Sequence, residues 1–251
     1  MFDNLKIMWH QGKQFIPDVT TAKVPGIFRG RPLITKAKVD EAMLVGLCPV
    51  KAISSNPVCI DLGKCTFCGE CAVQFPDKIN FTTDYKLSSN ERERLIIKEG
   101  DEASIIVNPD TIRKEIHRLF GGSLKLRQVS AGGDNSCEWE LNSSNNVQFD
   151  VSRFGVDFVA SPRHADGIVI TGPITENMAE SVERCYNAVP NPKVIILVGT
   201  DAISGGIFAD SPALNRDFLS KHSVDLYVPG NPAHPLTFIN GVLSLLRKTK
   251  I

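Results

Sequence analysis

The sequence predicts an α/β chain in two unequal parts: a small cysteine-bearing α+β module, then an open, mostly parallel α/β layer. Residues 124–129, 156–160, 167–171, 194–199 and 224–228 form short, nearly continuous apolar runs. Runs of that kind suit strands buried on both faces of a parallel sheet. Amphipathic stretches at 176–188, 212–221 and 235–246 separate or follow the later runs and read as crossover helices. Upstream of this alternation the pattern changes, and five of the seven cysteines lie between residues 48 and 71.

Residues 1–35 contain Pro, Gly and the aromatics Phe2, Trp9, Phe15 and Phe28, and read as an extended arm lying across another surface. The cysteine module follows at 36–85. Residues 86–122 form a linker with apolar pieces at 95–97 and 104–107. Asn108-Pro109-Asp110 then opens a helix over 111–120 that stops at Gly121-Gly122. The α/β layer occupies 123–251.

The cysteine spacing is the most specific feature. Bacterial ferredoxins carry C-x2-C-x2-C-x3-C-P runs, and in two-cluster members the fourth cysteine of each run ligates the other run's cluster. Here the second run reads Cys65, Cys68, Cys71 and then Phe75-Pro76. The first keeps only Cys48-Pro49, with Lys38, Glu41 and Leu44 at the three positions upstream. Cross-ligation therefore predicts one complete [4Fe-4S] site, Cys48, Cys65, Cys68 and Cys71, and the loss of all four ligands of the other. Gly69 leaves room for backbone close to the inorganic sulfides. Zinc is the competing thiolate metal, but zinc knuckles do not need three cysteines at successive x2 spacings plus a distant Cys-Pro. Cys59, between Val58 and Ile60, and Cys185, in a helical pattern, read as buried small hydrophobes.

Composition narrows the function class. Twenty-eight basic residues balance 28 acidic ones, so no polyanion such as nucleic acid is expected as a partner. Seven cysteines with four assigned to a cluster do not form a secreted disulfide framework. No apolar run reaches a membrane-spanning length, and Met1-Phe2-Asp3-Asn4 lacks the basic and apolar regions of a signal peptide. Any membrane association is expected through partner subunits.

In an open α/β sheet, ligands gather beyond the carboxyl ends of the strands. The loops there contain Gly132-Gly133-Asp134-Asn135-Ser136-Cys137-Glu138, Ser161-Pro162-Arg163-His164-Ala165-Asp166, Thr171-Gly172-Pro173, Gly199-Thr200-Asp201, Ser204-Gly205-Gly206 and Pro229-Gly230-Asn231-Pro232. In that order they resemble the small iron–sulfur subunit shared by energy-converting [NiFe] hydrogenases, formate hydrogenlyase and respiratory complex I (the 20 kDa type). The similarity runs over about residues 123–246. The upstream module resembles the separate two-cluster subunit of those complexes, fused here. The fold implied is a ferredoxin-like module followed by a flavodoxin-like domain.

The hydrogenase branch of that resemblance implies a second [4Fe-4S] cluster at four loop positions, occupied here by Asp134, Cys137, Asp201 and Asn231. One thiolate cannot hold a cubane, so this second cluster is expected to be absent. A harder divalent metal is the other use of these four side chains; otherwise neighbouring groups fill the space, with Trp139 as filler and Arg163 or His164 as partners for the carboxylates. Arg163 and His164 match the family's Arg-His element, and Glu138 a family carboxylate beside the catalytic partner, all three candidates for an interface or a proton path. Arg153 matches a family pattern too and reads as a surface or interface ion pair.

The resemblance implies an electron-transfer subunit of a membrane-associated oxidoreductase, without independent catalysis. It would sit peripherally on the inner face of the cytoplasmic membrane, beside a hydrogenase-like or 49 kDa-like large subunit and membrane subunits. The alternative is a structural or coupling subunit without through-going electron transfer. A stand-alone nucleotide or flavin enzyme is disfavoured, because no G-x-G-x-x-G fingerprint or phosphate-binding P-loop is present.

Overall fold

The computed structural model describes residues 2–12 and 14–247. In chain order the elements are α1 (Phe2–Gln11), β1 (Pro32–Ile34), α2 (Glu41–Leu47), β2 (Ile53–Ser54), β3 (Cys59–Asp61), α3 (Glu70–Gln74), β4 (Ile79–Phe81) and β5 (Ile96–Lys98). The second half continues with α4 (Lys114–Phe120), β6 (Leu124–Ser130), α5 (Ser136–Ser143), β7 (Val156–Phe158), β8 (Gly167–Thr171), α6 (Glu176–Ala188) and β9 (Val194–Val198). It closes with α7 (Thr200–Ser204), α8 (Asp217–Lys221), β10 (Leu226–Val228) and α9 (Pro235–Leu245).

The five apolar runs form one all-parallel sheet in the order β7-β6-β8-β9-β10. Counted within the domain this is the order 2-1-3-4-5 of flavodoxin-like folds, whose switch point lies between the first and third strands. Alternation along the strands sends Leu126, Val169, Ile196 and Val198 to the face covered by α4, α5 and α9. Val129, Ile168, Ile170, Ile195 and Leu197 point to the opposite face, against α6, α8 and the cysteine module. Burial on both faces is the physical reason the runs are continuous rather than alternating. The paired residues Ser130, Thr171, Val198 and Val228 bring the strand ends level. The loops after β6, β8, β9 and β10 therefore open along one edge.

The cysteine module consists of an antiparallel ribbon β1-β4, a three-stranded antiparallel sheet β2-β3-β5, and helices α2 and α3. Strand pairing carries it past both expected limits, 36 and 85, because β1 comes from the arm and β5 from the linker. Asp40 caps α2 by accepting the Met43 N–H at 3.0 Å, and the helix ends at Cys48, ahead of Pro49. Leu44 is fully buried and Phe75 packs on the same cluster, so hydrocarbon occupies two of the positions that would have held thiolates. Leu44→Ala is expected to cost about 3 kcal/mol in denaturant unfolding, the usual loss for a buried leucine with its cavity.

Two local expectations are corrected. Residues 2–11 are helical rather than extended, with no buried residue; Phe2 and Trp9 face solvent. From Ile16 onward the arm does lie across the α/β domain. Val19 is buried, its carbonyl accepts from Tyr85 Oη at 2.9 Å and Asn240 Nδ2 at 2.7 Å, and Phe28 packs edge-on to His234. Among the described residues Arg153 has no ion-pair partner; it clamps the arm by donating to the Ile16 carbonyl and stacking over Phe15 and Phe154.

Candidate redox site and the vacated loop site

Cys48, Cys65, Cys68 and Cys71 line one cavity, walled by Ile53, Ile60 and Phe81. Cys48 arrives from the end of α2, Cys65 from the turn after β3, and Cys71 from the first turn of α3. Cys65 and Cys71 are buried, Cys48 is half-buried and Cys68 is exposed; all four are free thiols. Backbone N–H groups of Ala52 and Phe67 donate to the sulfurs of Cys48 and Cys65, each at 3.3 Å. Burial, with the neighbouring thiols adding to it, pushes Cys65 up to about 12 and Cys71 up to about 11. Ligation of a metal centre by these thiols would release protons on binding.

This donor set fits a cubane. Among the described residues no three His, Cys, Asp or Glu side chains converge as a single metal ion would require. A cubane instead takes one thiolate at each of four separated iron corners, and N–H groups aimed at sulfur suit its negative charge. Gly69 has a left-handed backbone, φ +81°, and a Cβ there would lie 2.5 Å from Arg29 Nε. Its missing side chain thus leaves room for Arg29, which also donates to the Phe67 carbonyl at 3.2 Å.

The second group of residues lies along the carboxyl edge of the parallel sheet. Asp134, Cys137 and Asp201 lie along that edge, where the two carboxylates bear electrostatically on the Cys137 thiol and Asp134 on Asp201. Asp134 is exposed, and hydrogen bonds from the Ser136 hydroxyl and N–H hold its carboxyl below the usual range. Cys137 is buried with its sulfur against Gly199, and burial pushes it up to about 12. Asp201 is buried in the first turn of α7. Asn231, the fourth position, lines a groove of about 360 Å³ that also runs past Phe28, Arg29, Phe67 and His234. That groove joins the vacated loops to the cysteine module.

Three expectations about neighbours are corrected. Trp139 is 66% exposed and fills no void. Arg163 and His164 lie exposed on a short turn and pair with neither carboxylate. Arg216 is the cation beside Asp201, and it donates to the backbone carbonyls of Pro173, Asp201, Ala202 and Ile203 at 2.8–3.3 Å rather than to a carboxylate. Glu138 is buried beneath the strand ends and accepts from Ser130 Oγ at 2.6 Å and Thr171 Oγ1 at 2.7 Å. Sequence reasoning missed Arg216 because nothing local distinguishes an arginine between Asn215 and Asp217. His234 was missed too, although the Pro235 after it is a helix-start signal; its ring caps α9 at Leu236 N, 3.1 Å away.

The family model for the NADH ubiquinone oxidoreductase, 20 Kd subunit, matches residues 135–245. The probable membrane-bound hydrogenase subunit mbhJ of Pyrococcus furiosus is 35% identical over 134 residues, 53% of this chain and 80% of that one. This chain belongs to that family. An NADH-quinone oxidoreductase subunit of Clostridium beijerinckii is 40% identical over 113 residues, 45% of this chain and 67% of the relative. Formate hydrogenlyase subunit 7 of Escherichia coli is 34% identical over 147 residues, 56% and 58% of the two chains. A chain of the membrane-bound sulfane sulfur reductase, an archaeal respiratory membrane complex, aligns over 51% of this chain and 70% of its own, at 27% identity and a TM-score of 0.45. The family match starts downstream of the cysteine module, at the vacated loop site, and ends with α9.

Proposed function

We propose that this chain is a single-cluster electron-carrying subunit of a membrane-associated oxidoreductase related to complex I and membrane-bound hydrogenases. Cys48, Cys65, Cys68 and Cys71 hold a [4Fe-4S] group, which when bound supplies one-electron redox chemistry. The observation that carries the reading is their shared cavity, packed directly against a family domain whose own cluster positions are largely non-thiolate. Without thiolates at Asp134, Asp201 and Asn231, the α/β loops offer no onward cluster. Electrons then enter and leave at the exposed edge around Cys68. The names of the relatives support partners of the large-subunit and membrane-subunit kind. Among the described residues no helix is long and apolar enough to cross a membrane. The attachment in this reading is peripheral, at the inner face of the membrane, through those partners.

A second reading, a structural or coupling subunit, is favoured by the three replaced ligand positions, because a docking surface survives loss of its redox chemistry. Iron and acid-labile sulfide analysis of anaerobically purified protein separates the two. About four irons per chain are expected for one cubane; about eight would restore a conducting pair and overturn the single-cluster assignment, and none would leave the scaffold reading.

A further inference from the structure

A cavity of about 880 Å³, a volume typical of small-ligand sites, opens at the amino ends of β9 and β10, the end of the sheet opposite the vacated loops. Lys193, the residue before β9, forms part of its wall and is 9% exposed. Its ammonium donates to the Tyr186 carbonyl at 2.6 Å and stands 4.1 Å from the centre of the Tyr186 ring. Among the described residues no carboxylate pairs with it, whereas Lys78, also buried, has Glu99 at 2.7 Å. Tyr186 lies in the last turn of α6, and the helix end offsets roughly half a charge. The remainder is uncompensated, and burial pushes the Lys193 amine down from its ordinary value. A cation buried without a counter-charge is costly to keep.

The carboxylates along the walls are committed elsewhere or face solvent. Asp225 accepts two hydrogen bonds from Arg113 and one from the Ile195 N–H, each at 2.9 Å. Glu91 accepts from Arg94, from Asn108 Nδ2 at 2.6 Å and from Thr111 Oγ1 at 3.2 Å. Glu115 is exposed on α4. Lys221 brings a second ammonium to the cavity and Ser223 a hydroxyl, both exposed. We propose that this cavity is a binding site for a small soluble phosphate ester, its phosphate group seated on Lys193 with Lys221 and Ser223 as further donors. A tetrahedral dianion suits ammonium point charges and a hydroxyl arriving from separate segments, whereas a planar carboxylate is best held by an arginine fork. The arginine of the wall, Arg113, already holds Asp225. The ligand supplies the counter-charge that the fold leaves out.

Calorimetric titration of inorganic phosphate into the full-length chain, against chloride at matched ionic strength, tests the site. One saturable site per chain is expected, with glycerol 3-phosphate competing for it. Lys193→Met should weaken binding about tenfold or more, the loss of one charge-assisted hydrogen bond. Lys6→Gln, on the exposed helix α1, should leave it unchanged. Limited acetic anhydride labelling of the wild-type chain, read by peptide mass, needs no variant. Phosphate should protect Lys193 from acetylation and leave Lys6 as reactive as in chloride. Absence of a saturable phosphate site, unaltered binding in Lys193→Met, equal weakening in Lys193→Met and Lys6→Gln, or acetylation of Lys193 indifferent to phosphate would overturn the proposal. None of these readouts depends on whether the cysteine cavity is loaded, so their failure leaves the single-cluster reading untouched.

Discussion

Cys68→Ser is expected to abolish the brown chromophore and the low-temperature EPR signal of the reduced protein, and to drop its iron content towards zero. A serine oxygen is a hard donor in place of a soft thiolate, and iron–sulfur centres are held overwhelmingly by the latter. Cys68 is the exposed member of the four, so the substitution leaves no buried cavity and any loss reads as lost ligation rather than lost packing. Cys48→Ser should give the same loss, although Cys48 lies on a different helix end. Cys59→Ser is the control. Cys59 sits in β3, where its thiol contacts the Pro57 carbonyl at 3.2 Å, outside the set lining the cavity. An unaltered EPR signal in Cys68→Ser, or loss of iron in Cys59→Ser alone, would refute the ligand set.

Lys78→Ala should destabilise the chain by about 3–5 kcal/mol in chemical denaturation, the range for stranding one partner of a buried ion pair. The Lys78 side chain is 2% exposed, and its ammonium reaches Glu99 Oε2 at 2.7 Å and the Ala37 carbonyl at 2.9 Å. These contacts tie the segment before α2, the start of β4 and the end of β5 to one another. The paired replacement Lys78→Met with Glu99→Leu should recover most of the loss, because removing both charges leaves no uncompensated group. A loss below about 1 kcal/mol in Lys78→Ala would place the pair with ordinary surface bridges.

Much of the fold is legible in the primary structure. The β8 run at 167–171 matches its strand residue for residue, and the α6 stretch matches its helix, because a strand buried on both faces and a helix with one apolar stripe each leave a periodicity. The helix expected over 111–120 begins only at Lys114, and that expected over 212–221 only at Asp217. The shortened ends lie in loops bonded to distant segments: Thr111 to Asn90, and Asn215 to Ile174. The helix α5 carries no clear apolar stripe, since its buried residues Cys137, Glu138 and Leu141 include a carboxylate.

The site divides in the same way. The x2 spacing, the isolated Cys48-Pro49 and the order of the loop motifs are local patterns, so the sequence alone determined the candidate cysteine set, the parallel layer and the family. Which groups share a cavity with which is decided by chain segments far apart in sequence. The tertiary structure alone turned Arg163 and His164 to solvent, brought Arg216 to the carbonyls around Asp201, and buried Glu138 under two hydroxyls. Ligand spacing is written in covalent geometry, whereas the protonation of a buried acid depends on how much water the surrounding fold removes and which charges it leaves nearby.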